Sequence, residues 1–358
     1  MGVSGPGYTR RDFVQAGMAG LLFGAGMTNG TNVSAAGATE QAAEGGTPLA
    51  TRGSKGRPRI GCCSWCFHSF AGGTPPEEAI DIMGEIGFEG TDLILLARED
   101  ITAYWTDAKI AQLNKQLERN KLDVAQFVIF QPVVEDLTST DRAARERDLD
   151  HFEAGCRIGK KLGAPIVNIV APWPRELSQP GGGYLPRFYD LPDAKAGDTF
   201  HIDIALGFDW DALWQTYIDT TKACLERAKA HGLKLSIEHH THTMIPDAVS
   251  FLRLWDAIRD PALGYNLDTG WTLSQREYPP VAIHKTKKQL MNLHVRDIDG
   301  LMRAFVHVGE GVMDFKAVAD TLKAVGYTGF LSIEQDKFPG DMKKTCQRYL
   351  AMMKEYLS

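Results

Sequence analysis

From Arg59 to the C-terminus, short apolar runs alternate with amphipathic stretches. Eight runs read as strands: Arg59–Ser64, Gly90–Leu96, Asp123–Ile129, Ile166–Ala171, Lys234–Glu238, Leu263–Asp268, Met291–His294 and Gly329–Glu334. Between them, apolar residues recur at helical spacing over Pro76–Ile86, Thr106–Asn120, Ala143–Leu162, Trp210–His231, Ala248–Arg259 and Phe315–Val325. Several of these stretches end in glycine before the next strand, as at Gly163, Gly232 and Gly326, where a left-handed cap is expected. Strands that alternate with helices predict a parallel sheet. Eight such units predict closure into a single (β/α)8 TIM barrel spanning residues 57–358. One connection breaks the rhythm. Between Ala171 and Trp210 lies a long stretch rich in Gly, Pro and aromatics, including Trp173, Tyr184, Phe188, Tyr189, Phe200 and His201. A loop of this length inside a compact domain is expected to be functional, and after the fourth strand it reads as a lid over the barrel mouth; a dimer-contact arm is the alternative.

The N-terminus reads differently. Thr9-Arg10-Arg11-Asp12-Phe13-Val14 has the form of a twin-arginine motif, followed by a Gly/Ala-rich, weakly apolar stretch to Met27 and small residues near Val33-Ser34-Ala35. Residues 1–35 are therefore expected to be an export signal, too short to span a bilayer, which places the mature protein in the periplasm or otherwise outside the cytoplasm. Residues 36–56 contain little that can be buried and read as a flexible linker. The signal carries two arginines against one aspartate, so its removal takes the formal charge from −6 to −7. That balance argues against nucleic acid as a partner. No second apolar segment is long enough to give the mature chain a membrane span, and a homo-oligomer is compatible with the sequence.

The chemistry collects at the strand ends. Leu235-Ser-Ile-Glu238, Gly264-Tyr-Asn-Leu-Asp268, Leu290-Met-Asn-Leu-His294 and Phe330-Leu-Ser-Ile-Glu334 each finish on an ionisable residue, at intervals of 30, 26 and 40 residues. The C-terminal ends of parallel barrel strands converge on one face. Glu238, Asp268, His294 and Glu334 would then supply a mainly oxygen donor set for one divalent ion such as Mn, Mg or Co. Such an ion would be held less tightly at low pH, because its ligands must shed protons. Six cysteines complicate the picture. Cys63-Ser-Trp-Cys66 has redox spacing but sits on a strand, leaving a disulfide among Cys62, Cys63 and Cys66 open. Cys156, Cys224 and Cys346 read as small core residues.

Five segments carry a family resemblance: Ser236-Ile-Glu238-His-His, Asn266-Leu-Asp268-Thr-Gly, Leu293-His294-Val-Arg-Asp297, His307-Val-Gly-Glu-Gly311 with Met313-Asp-Phe315, and Gly326-Tyr-Thr-Gly329-Phe-Leu-Ser-Ile-Glu334. With them the chain, from Ile60 onward, resembles the xylose-isomerase-like TIM-barrel superfamily of sugar phosphate isomerases and epimerases. The resemblance implies that Glu238, Asp268, His294 and Glu334 bind one divalent metal (Mn, Mg, Co or Zn). It also implies that Glu238 and Glu334 act as the acid/base pair. Chemistry agrees, since moving a proton alpha to a carbonyl needs a Lewis acid on the oxygens and a base and an acid on opposite faces of the carbon. His68, Trp173, His240, Trp271, Arg296 and His307 are candidate substrate-binding residues, with Trp65 as a further wall against a sugar ring. Arg296 has an alternative role as an ion-pair partner of Asp297 or Asp299. Many superfamily members carry His or Asn where this chain has Trp271. The expected activity is therefore a metal-dependent sugar isomerase or epimerase working through an enediolate. The alternatives are a lyase or dehydratase acting on a 3-keto-glycoside or keto-inositol, and a non-catalytic exported sugar-binding barrel. A neutral carbohydrate is favoured, because the basic residues form no phosphate cluster.

Overall fold

The structure, a computed structural model, describes residues 56–68, 76–172, 177–178, 203–241, 243–300, 305–335 and 340–358. The expected export signal, nearly all of the linker, Trp173 and most of the expected lid lie outside these residues. Eight parallel strands form a closed barrel: β1 (Arg59–Cys63), β2 (Gly90–Leu95), β3 (Asp123–Ile129), β4 (Ile166–Val170), β5 (Lys234–Glu238), β6 (Leu263–Asp268), β7 (Leu290–Val295) and β8 (Phe330–Ile333). Each strand pairs with its neighbours in the chain, and β1 closes on β8 with Ile60 opposite Leu331 and Cys62 opposite Ile333. The eight expected strands coincide with these to within a residue or so at each end.

The strands are nearly continuous runs of buried residues because helices cover the outer face. Phe127, Phe152, Tyr217, Phe251 and Tyr349 fill the layer between sheet and helices. Capping side chains fix where the helices begin. The Thr106 hydroxyl accepts from Lys109 N ahead of Asp107–Arg119, and Asp247 forms a capping box with Ser250 ahead of Ala248–Ile258. Among the described residues, no helix is long and apolar enough to cross a membrane.

The barrel interior is polar at mid-height. Asp92, Gln126, Asn168, Ser236, Asn266, Asn292 and Ser332 are all essentially inaccessible; they ring the interior and bond in two chains that His294 bridges. Ser236 Oγ donates to Gln126 Oε1 at 3.1 Å and receives Asn168 Nδ2 at 2.9 Å. Asn292 Nδ2 reaches Asp92 Oδ2 at 3.2 Å and Asn266 Oδ1 at 3.3 Å, while Ser332 Oγ donates to Asp92 Oδ1. Two register shifts sit beside members of this ring, between Thr91 and Asp92 and between Tyr265 and Asn266. Bulges of this kind re-aim a side chain without breaking the sheet. Gly61 faces the same interior, where a Cβ would approach Ser332 Oγ to 2.6 Å.

Candidate active site at the mouth of the barrel

The four expected ligands meet. Register brings Asp268 opposite His294, and His294 opposite Ser332, two residues before Glu334. Each of Glu238, Asp268, His294 and Glu334 offers one donor atom lying within 4.8 Å of the others, and all four side chains are buried. His294 stands at the centre. Its Nδ1 lies 3.1 Å from Glu238 Oε1 and 2.7 Å from Glu334 Oε2, while its Nε2 faces Asp92 Oδ2 at 3.1 Å and Gln126 Nε2 at 3.1 Å. The ring below therefore fixes the imidazole and turns Nδ1 toward the mouth.

Asp268 is held from behind. Its Oδ1 accepts the Trp271 amide at 2.8 Å and so caps the short helix Thr269–Ser274. Its Oδ2 accepts no hydrogen bond but pairs with Arg296 Nε at 2.9 Å. Arg296 also pairs with Glu334 Oε1 through its guanidinium and lies 4.7 Å from the centre of the Phe305 ring. Glu334 Oε1 takes a further bond from Trp65 Nε1 at 3.0 Å, leaving Oε2 with the His294 ion pair and no hydrogen bond. Glu238 Oε2 accepts from Asn266 Nδ2 at 2.9 Å, and His240 Nε2 stands 3.5 Å from Glu238 Oε1. His240 in turn packs on Trp271 with ring centres 4.7 Å apart.

These contacts set the protonation pattern. Burial pushes the Glu238 carboxyl up, but His294 and His240 outweigh it and hold it well below the usual carboxylate range. For Glu334 burial is likewise outweighed, here by Arg296 and His294, and its carboxyl is lowered. Asp268 goes the other way: burial, abetted by the charges of Glu334 and Glu238, pushes it up to about 8 despite Arg296. Burial disfavours a charged His294, yet Glu238 and Glu334 keep it well above its ordinary value. His239, next to the site in sequence, is forced down to about 3 by burial and is neutral, bonded to Thr272 Oγ1 at 3.2 Å.

A divalent ion fits this donor set. Two carboxylate oxygens, Asp268 Oδ2 and Glu334 Oε2, are buried without a hydrogen bond among converging donors. The nitrogen of His294 that faces them is backed by Asp92, the arrangement that orients metal-binding imidazoles.

The other expected residues fall in different places. Arg296, His240, Trp271 and Trp65 all border the four ligands. Arg296 pairs with Asp268 and Glu334; the alternative pairing with Asp297 does not form, because the Asp297 carboxylate accepts the amides of Gly309, Gly311 and Met313 at 3.0, 2.9 and 2.9 Å. His68 bonds Ser64 Oγ at 3.0 Å within its own turn. His307 lies against the last helix, bonded to Thr345 Oγ1 at 3.1 Å, with its Nε2 only 2.9 Å from where a Cβ on Gly340 would stand. The cysteines are all free, and Cys63 and Cys66 point apart: Cys63 groups with His294 and Glu334, whereas Cys66 groups with Cys62 and Cys346. Asp92 and Gln126 escaped the sequence reading, and Cys63 was read only as a possible disulfide partner, not as a neighbour of His294 and Glu334. An aspartate inside an otherwise apolar strand, where its propensity is poor, was the available signal for Asp92.

A family model described as xylose isomerase-like TIM barrel matches residues 80–356. The chain belongs to this family. Within this xylose isomerase-like family, it is 25% identical over 272 residues to the inosose dehydratase of Bacillus licheniformis, an alignment covering 71% of the chain and 78% of that relative. It is 26% identical over 110 residues to the 3-oxo-isoapionate decarboxylase of Pectobacterium atrosepticum, covering 28% of the chain and 39% of the decarboxylase, so it spans well under half of that relative. Among solved structures, an L-ribulose 3-epimerase superposes with a TM-score of 0.64 at 19% identity, over 84% of this chain and 94% of the other, a likeness of fold.

Proposed function

We propose that this protein is a divalent-metal-dependent carbohydrate isomerase or epimerase that moves a proton alpha to a carbonyl. The observation that carries the reading is the pair of glutamates flanking His294 Nδ1, at 3.1 and 2.7 Å, from the ends of two non-adjacent strands, β5 and β8. Both are held as carboxylates. A ring or chain carbon seated between them would present one face to each, so that one takes the proton and the other returns it. When bound by Glu238, Asp268, His294 and Glu334, the ion would supply Lewis acidity to the substrate's carbonyl and neighbouring hydroxyl.

The two glutamates are not equivalent. Glu334 is loaded with bonds from Trp65 and Arg296, which lower its basicity and fix its orientation. Glu238 accepts one amide bond and has His240 alongside, so its proton has a local exchange partner. Trp271 and Phe305, edge to face at 4.8 Å, give an apolar wall for the C–H face of a sugar.

That asymmetry favours a second reading. With His240 beside it, proton abstraction by Glu238 followed by proton delivery to a leaving group would make the protein a lyase or dehydratase of a 3-keto-glycoside or keto-inositol. The inosose dehydratase relative supports it. Both readings predict deuterium incorporation alpha to the carbonyl when the Mn-loaded protein is incubated in D2O with ketohexoses, 3-keto-glucosides and inosose. Epimerisation leaves a stereoisomer, whereas elimination leaves a conjugated enone absorbing in the near ultraviolet. Glu238→Gln should abolish exchange. Exchange with none of these compounds, or exchange unaffected by that substitution, refutes proton-abstraction chemistry at this site and favours the sugar-binding barrel.

A further inference from the structure

Three of the six cysteines converge where the barrel-mouth chemistry has no use for them. Side chains alternate along a strand. With Cys63 turned inward to His294 and Glu334, Cys62 points outward beneath the last helix, Met342–Tyr356. Cys346 occupies the buried face of that helix. Cys66, ending the short turn Ser64–Cys66, folds back to the same point. The three Sγ atoms lie within 4.8 Å of one another, and all three residues are buried. Cys66 Sγ also receives the Gln335 amide at 3.3 Å and lies 3.4 Å from the Ile333 carbonyl, so it grips the backbone on both sides of Glu334.

We propose that Cys62, Cys66 and Cys346 form a second metal site, separate from the barrel mouth, that takes a thiophilic monovalent cation of the Cu(I) type in three-sulfur coordination. Sulfur at about 2.3 Å from a trigonal ion places neighbouring sulfurs about 4.0 Å apart, so the observed triangle closes on an ion with little movement. Thiolates select soft ions, and no carboxylate or imidazole completes the group among the described residues. Hard ions of the Mn or Mg kind therefore have no reason to enter, and a tetrahedral Zn(II) site lacks its fourth donor there. Three ligands also argue against a simple disulfide, which would consume two and strand the third. Binding replaces thiol protons with the ion and releases them to solvent, with no change of oxidation state. The ion would join the exit of β1, the exit of β8 and the final helix, stiffening the backbone that carries Glu334.

The test uses the full chain, purified with its thiols reduced and handled without oxygen. Cu(I) is delivered from its bathocuproine disulfonate complex, and uptake is read from loss of that complex's colour and from copper-edge X-ray absorption. The expected result is one ion per chain with about three sulfurs at about 2.3 Å. Uptake should fall at least tenfold in affinity in Cys346→Ser and Cys66→Ser, but be unchanged in Cys63→Ser and Cys156→Ser. Retention in the first pair, loss in Cys63→Ser, a shell containing nitrogen or oxygen, or no uptake overturns the proposal. So does a thiol titration of protein purified without reductant that reveals a disulfide within the trio. If a serine variant does not fold, the absorption spectrum of the unsubstituted protein decides alone: a three-sulfur shell supports the site and any other shell refutes it.

Discussion

Asp92→Asn isolates how the barrel interior tunes the mouth. The Asp92 carboxylate takes the Ser332 hydroxyl on Oδ1, and Asn292 at 3.2 Å and His294 Nε2 at 3.1 Å on Oδ2. Asparagine has the same shape and can turn its amide group toward Ser332, whose hydroxyl can accept instead of donate. Its oxygen then still serves Asn292 and His294, so the packing survives. What is lost is the charge behind the imidazole. A hydrogen bond to a charged partner contributes about 1.5–3 kcal/mol, and weakening one that orients a ligand lowers metal affinity about 10–100-fold. At about 1.4 kcal/mol per tenfold, the two figures agree. Isothermal titration of Mn(II) into the substituted and unsubstituted proteins should therefore show a weakening in that range with little change in thermal unfolding of the metal-free form. Asp92→Ala should differ in kind. Three buried donors lose their acceptor, and the metal-free fold should lose about 3–5 kcal/mol, as when one partner of a buried pair is removed. An Asp92→Asn protein that binds Mn(II) within a factor of about two of the parent would refute the claim that this carboxylate sets the His294 ligand.

Metal affinity should rise with pH, because below about 8 the empty site carries a proton on Asp268 and also keeps His294 charged. Each proton displaced adds about one logarithmic unit of affinity per pH unit, so a titration from pH 6 to 8.5 monitored by Mn(II) paramagnetic resonance should steepen toward acid; a flat profile would contradict it. Arg296→Gln leaves Asp268 and Glu334 without their shared cation, so the metal-free protein should lose about 3–5 kcal/mol and recover much of it on adding Mn(II), read by calorimetry. Gly311→Ala should unfold the loop that Asp297 gathers, since the new Cβ would lie 2.1 Å from the Ile298 carbonyl oxygen; limited proteolysis would show new cleavage between Asp299 and Met313.

The convergence of the strand-end residues was legible because parallel strands that begin at equivalent points also end at equivalent points. One ionisable residue per end, repeated four times, is a pattern in the linear chain. The polar ring beneath was not legible. Asp92, Gln126, Asn168 and Asn292 are single interruptions in four separate strands, and only barrel closure and two bulges aim them at one another. Arg296 was read as a substrate contact or as an ion-pair partner of Asp297 or Asp299; it pairs instead with Asp268 and Glu334, while loop amides claim Asp297. His307 followed the expected loop but ends against Thr345, because the packing of the last helix has no local signature. Cys346 looked like one small core residue among three, since its partners sit some 280 positions away in the chain.

Asp268 serves the mouth with one oxygen and the start of the Thr269–Ser274 helix with the other. The carboxylate is thus a lever with two loaded ends. An ion held by Oδ2 would fix the carboxylate whose Oδ1 accepts the Trp271 amide, and with it the indole that packs on His240. Occupancy of the centre would in this way be felt as stiffness at the rim. Amide exchange at Trp271 should therefore slow when the ion arrives, before any sugar is present.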